Sequence, residues 1–106
     1  MKSIAVELDK VRNLRFGFNA MCDFEEITGQ QISEDIDLSG FRNLRALVWT
    51  GLRWEDKNLT LLETGNLIEN VLEEKGADYL MEKVQKAMAA SRAKEESKVG
   101  LEQITK

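Results

Sequence analysis

The sequence predicts an α+β protein, mainly α, in which an N-terminal β-hairpin packs on a bundle of about four helices. Three observations predict it. Apolar residues alternate with polar ones only near the start, between Ile4 and Phe16; beyond that they recur at three- and four-residue steps; and residues suited to helix boundaries stand at matching places. At 106 residues, 42% of them apolar and 32% charged, the chain fits one globular domain and has enough Leu, Ile, Val and Phe to offset the entropy of ordering it. That domain is expected over residues 1–93, with 94–106 as a flexible C-terminal tail.

Ile4, Val6 and Leu8 alternate with Ala5 and Glu7, and Leu14 and Phe16 flank Arg15 after a polar stretch of Asp9-Lys10 and Arg12-Asn13. Two strands alone are marginal in water, so the hairpin must lay an apolar face on the helices. Asn19 is the expected N-cap of the first helix, whose Ala20, Phe24 and Ile27 recur at i, i+4 and i+7 before Gly29 supplies a residue tolerant of positive φ. Gln30 to Ser39 reads as a connection, with Glu34, Asp35 and Asp37 polar and Ile32, Ile36 and Leu38 tucked toward the core.

From Ser39 or Gly40 to about Trp54, Phe41, Leu44, Val48, Gly51 and Leu52 line one stripe of the most central helix. Thr60 and Glu63 match a capping box that opens the next, where Leu61, Ile68 and Leu72, widened by Leu67 and Val71, form the apolar face and Gly76 the end. Ala77, Leu80, Met81, Val84, Ala87, Met88 and Ser91 then repeat as a heptad-like seam. After Ala93, Lys94 to Lys98 lacks sustained apolar partners, and Gly100 interrupts it, so a fraying end is expected.

Composition narrows function. With no histidine and Cys22 as the single cysteine, intrachain disulfides, Cys/His zinc sites and histidine acid/base chemistry are excluded; Cys22 is expected as a small buried apolar residue, and no catalytic residue, cofactor or metal site is expected. The net charge of −4 repels a phosphate backbone, so nucleic acid is not an expected partner. The longest apolar run, Ala46 to Trp49, is far short of the ~20 residues of a membrane span, and Met1 to Leu8 lacks the apolar block of a signal peptide, which together point to the cytoplasm. Asp23, Glu25 and Glu26 diverge at helical spacing and read as a solvated face.

Partner-binding candidates are Arg42, Arg45, Trp49 and Arg53, at i, i+3, i+7 and i+11, with Trp54 beside them. Arg and Trp are enriched at interface hot spots, and the competing reading is a solvated Arg face with Trp49 half-buried. In the seam, Leu80 and Val84 are expected in the core and the distal half, Ala87 to Ala93, free, with Met81 and Met88 as adaptable contacts.

The order of Leu14-Arg15-Phe16-Gly17-Phe18-Asn19-Ala20, Glu25-Glu26-Ile27-Thr28-Gly29, Leu44-Arg45-Ala46-Leu47-Val48-Trp49-Thr50-Gly51-Leu52 and Leu59-Thr60, then Leu62-Glu63-Thr64-Gly65-Asn66-Leu67-Ile68, resembles the tail assembly chaperones of long-tailed bacteriophages and prophages over about residues 3–72. The resemblance implies a non-catalytic protein that binds the long, helical, aggregation-prone tape measure protein in the host cytoplasm. It implies help in bringing tail tube subunits to polymerise, possible self-association, and absence from the mature virion. The alternative from another class is a structural tail or head–tail joining component that stays in the particle, which mass spectrometry of purified virions would detect.

Overall fold

In the computed structural model, which describes residues 2–32 and 36–105 with side chains to residue 91, the alternation near the start forms an antiparallel hairpin of β1 (Ile4–Glu7) and β2 (Val11–Leu14), with Ile4 opposite Leu14 and Val6 opposite Arg12. Four helices follow: α1 (Phe18–Thr28), α2 (Phe41–Leu52), α3 (Leu61–Glu74) and α4 (Ala77–Thr105). The fold is α+β and mainly α, as the sequence predicts. Of the connection before α2, Ile32, Ile36 and Leu38 pack on the core, while Glu34 and Asp35 lie outside the described residues.

α2 is the hub. It packs on α1, on α3 and on β2, while α4 packs on both strands and on α3. Its Ala46, Leu47, Val48, Thr50, Gly51 and Leu52 are therefore buried nearly in succession, covering most of the helix circumference. Val6, Leu14, Phe16, Phe24, Leu80 and Val84 close around them. Each large apolar side chain buried this fully contributes about 1.5–3 kcal/mol.

Several boundaries follow local chemistry. Gly29 ends α1 at φ 73° and Gly76 separates α3 from α4 at φ 88°, conformations a side chain would disfavour. The capping box forms: Thr60 Oγ1 accepts from the Glu63 amide at 3.1 Å and Glu63 Oε1 accepts from the Thr60 amide at 3.0 Å. The first helix departs from expectation. Its N-cap is Gly17, in extended conformation, and Asn19 is exposed within the first turn, because Phe16 must dive into the core immediately before the helix begins. Cys22 is exposed, not buried, since it lies two residues from both Ala20 and Phe24 and so on the opposite face.

α3 buries Thr64, Leu67, Ile68 and Val71, so its inner face is rotated from the expected one and Leu72 lies at its exposed edge. The α4 seam stays in the core through Ser91, whose hydroxyl donates to the Phe16 carbonyl at 3.2 Å. The backbone of α4 continues to Thr105, beyond the expected end at Ala93; its Ala, Lys and Glu are strong helix formers and no proline interrupts them. Side chains beyond residue 91 lie outside those described.

Arg12 stands inside β2, not in the inter-strand turn, and its guanidinium is buried. Nε and Nη2 donate to the two carboxylate oxygens of Asp9 at 2.7 and 3.0 Å, and Nη1 to Asp56 at 3.2 Å. This pair ties the hairpin turn to the loop after α2. The outer edge of β2 is closed as well: the Asn13 amide donates to Glu55 at 3.2 Å, the Trp54 indole donates to the Asn13 carbonyl at 2.9 Å, and the Arg15 amide donates to the Gly51 carbonyl at 2.9 Å. On β1 the Glu7 amide donates to the Tyr79 hydroxyl at 3.0 Å. Partners on both edges make a two-stranded ribbon tolerable and leave little for another strand to pair with.

The Arg12 hydrogen bonds hold the Asp9 carboxyl below its ordinary pKa. A depressed folded-state pKa contributes stability above the unfolded value, near 4, that is lost as pH falls through the folded value. The urea midpoint should therefore fall between pH 6 and pH 3, and Arg12→Met should flatten that dependence; an unchanged slope in the variant would show that the pair does not couple to folding.

A candidate partner-binding groove

The helices leave one large apolar groove. Its walls come from the end of the connection (Leu38, Ser39), the first half of α2 (Phe41, Arg42, Leu44, Arg45), the inner edge of α3 (Gly65, Ile68, Leu72) and the start of α4 (Ala77, Met81), enclosing about 550 Å³. Pockets that take small molecules or side-chain anchors span roughly 300–1,000 Å³.

The groove exists because α2 begins beyond the reach of its neighbours. Phe41 is its first residue, directly after Gly40, and is 87% exposed. It was expected on the buried stripe with Val48 and Leu52, but α1 and α3 do not cover this first turn. Gly65 adds to the opening. A Cβ there would meet only the Arg45 side chain, at 3.5 Å, so packing would accept one; the missing side chain leaves the wall bare although glycine within a helix costs about 1 kcal/mol. Leu72, 38% exposed, completes the apolar rim.

Arg42 and Arg45 stand on the α2 wall, both exposed, and among the described residues neither forms an ion pair. They also border a smaller recess of about 300 Å³ with Ile27 and Leu61. The groove is thus apolar at its floor and cationic along one side. The groups with displaced pKa values, Asp9, Arg12, Asp37 and Lys75, do not line it.

The expected Arg/Trp stripe does not form one surface. Trp49 is half-buried, its indole donating to the Leu59 carbonyl at 2.7 Å and its ring lying 4.5 Å from the Arg53 guanidinium. Trp49 is thus half-buried as the competing reading expects, and its indole braces the loop before α3. Arg53 also pairs with Asp23 at 3.0 Å, which removes Asp23 from the supposed solvated acidic face. Arg53 and Trp54 line a separate, more polar pocket of about 540 Å³ with Arg15, Phe18 and Lys57; there the Arg15 guanidinium lies 5.1 Å from the Trp54 ring. Both stacked arginines keep a buried Nε without a hydrogen-bond partner in the structure.

Met88, expected as a partner contact, is 7% exposed and belongs to the core, as does Ala87, because α4 packs on the hairpin along that length. Of the expected contact residues, Arg42, Arg45 and Met81 reach the apolar groove. Its other apolar members Phe41 and Leu72 escape sequence reasoning because periodicity marks them like any core position.

No family model, curated protein or solved structure matches the chain. Among the described residues no cluster of three or more His, Cys, Asp or Glu is placed to hold a metal ion, and no helix is long and apolar enough to cross a membrane.

Proposed function

We propose that this chain is a phage tail assembly chaperone, a non-catalytic binder that holds helical segments of the tape measure protein in its apolar groove and helps recruit tail tube subunits. The resemblance over residues 3–72 suggests the family, and one structural observation supports the binding role: an apolar groove of about 550 Å³ rimmed by a phenylalanine that is 87% exposed. A large exposed aromatic beside a concave apolar surface has the make-up of an interface anchor.

A long amphipathic client presents apolar stripes that self-associate. A small protein whose groove accepts a few anchor side chains from such a stripe covers them reversibly, and many copies along one client hold it by multivalency. Under this reading the protein acts in the host cytoplasm and leaves before the particle is complete. Co-expression with the tape measure protein should raise the client's soluble fraction several-fold and yield a complex on pull-down. No change in solubility and no complex would refute the proposal.

A further inference from the structure

The geometry points to an acidic amphipathic helix as the occupant of the groove: a helix with apolar anchors at i, i+3 or i+4 and i+7, flanked by Asp or Glu that engage Arg42 and Arg45. This rests on the chaperone reading above and specifies what the site selects.

Charge complementarity carries the inference. Arg42 and Arg45 lie one helical turn apart on a single wall, both exposed, and neither is neutralised by an ion pair among the described residues. Elsewhere Arg12 is enclosed by Asp9 and Asp56, Arg53 holds Asp23, and Lys75 holds Glu7, while Arg15 and Lys57, also without an ion pair among the described residues, border the separate and more polar pocket. On a chain of net charge −4 the two arginines therefore form a local cationic rim whose reach is about one Debye length, roughly 10 Å, so it acts on a docked ligand and hardly on distant charge. A helix seated on the apolar floor would place residues flanking its anchors against that wall, where carboxylates are attracted and ammonium groups repelled.

The same charges argue against a second copy of this chain as the occupant. A second copy seated groove to groove would gather Arg42 and Arg45 of both chains, four cations, into one two-fold interface. Like charges so placed oppose association.

Two fluorescein-labelled synthetic helical peptides with identical Leu anchors, one flanked by Glu and one by Lys, provide the test on the full chain. Anisotropy should give about tenfold tighter binding of the Glu peptide at low salt, with the preference shrinking as salt rises. Backbone amide shifts should move at Leu38, Ile68, Leu72 and Met81. Arg42→Glu with Arg45→Glu, both exposed positions whose replacement should leave the circular dichroism spectrum unchanged, should reverse the preference. Equal affinity for the two peptides, preference for Lys, shifts confined to other surfaces, or concentration-dependent groove shifts of the free protein would each overturn the inference. The chaperone reading is scored separately. If the double variant still solubilises the tape measure protein as the native chain does, acid recognition fails while chaperone action stands; if the native chain does not solubilise it, the chaperone reading fails whatever the peptides do.

Discussion

Gly51→Val should unfold the protein or lower its Tm by more than about 12 °C. A Cβ built at this position lies 2.8 Å from Phe16 Cε1 and 2.9 Å from Leu14 Cδ2, separations that real side chains do not adopt. Neither neighbour can give way, since Leu14 and Phe16 are essentially fully buried under α4 and the hairpin. The Gly51 carbonyl also accepts the Arg15 amide at 2.9 Å, so separating α2 from β2 would break the bond that sets their spacing. Overpacking by a methyl costs about 1–3 kcal/mol, which outweighs the roughly 1 kcal/mol that alanine gains over glycine in a helix, and valine adds two further carbons and a β-branch. A loss of about 3 kcal/mol or more corresponds to the stated Tm shift in a domain of this size. Gly65→Ala is the control: its Cβ meets only ordinary contact at 3.5 Å, so it should be neutral or stabilise slightly. Equal melting of the two variants would mean that the α2–hairpin contact is looser than described.

Phe41→Asp should leave stability within about 0.5 kcal/mol of native yet weaken capture of a tape measure fragment by about 10- to 100-fold. The first half follows from exposure, because a side chain at 87% exposure gives up little burial when replaced. The second follows from position: Phe41 rims the groove, and an aromatic anchor lost from the centre of an interface costs 2 kcal/mol or more. Circular dichroism melts and quantitative pull-down check the two halves separately. Native-level capture by a folded variant would place the client elsewhere.

The parts of the fold written in short-range chemistry are legible in the sequence. Thr60 and Glu63 lie three residues apart and form their capping box; Gly29 and Gly76 take positive φ; and Ile4 and Val6 alternate into a strand. What escaped depends on where elements meet. Arg12 reads as a turn residue until Asp56, from a loop 44 positions later, is brought beside it. Phe41 and Leu52 look alike on a helical wheel, but only Leu52 lies where neighbouring elements cover α2. Met88 has the spacing of a free seam and is buried because the hairpin lies across that part of α4.

The candidate site shows the same division. Arginine suits interfaces, which singles out Arg42 and Arg45 in the sequence, and both line the groove. Arg53 and Trp54 have the same interface chemistry but occupy a different pocket, while Trp49 donates its indole N–H to the Leu59 carbonyl. Helical spacing places these residues on one strip of α2, and the strip divides between Arg45, which lines the groove, and Trp49, whose ring stacks with Arg53.

The most direct test of groove-mediated capture is photo-crosslinking from a benzophenone amino acid placed at position 41 and, in a second protein, at position 62. Both positions carry exposed apolar residues, and only Phe41 lines the groove. On co-expression with the tape measure protein, position 41 should yield a covalent adduct with the client and position 62 should not. Adducts from position 62 alone, or from neither, would contradict capture through the groove.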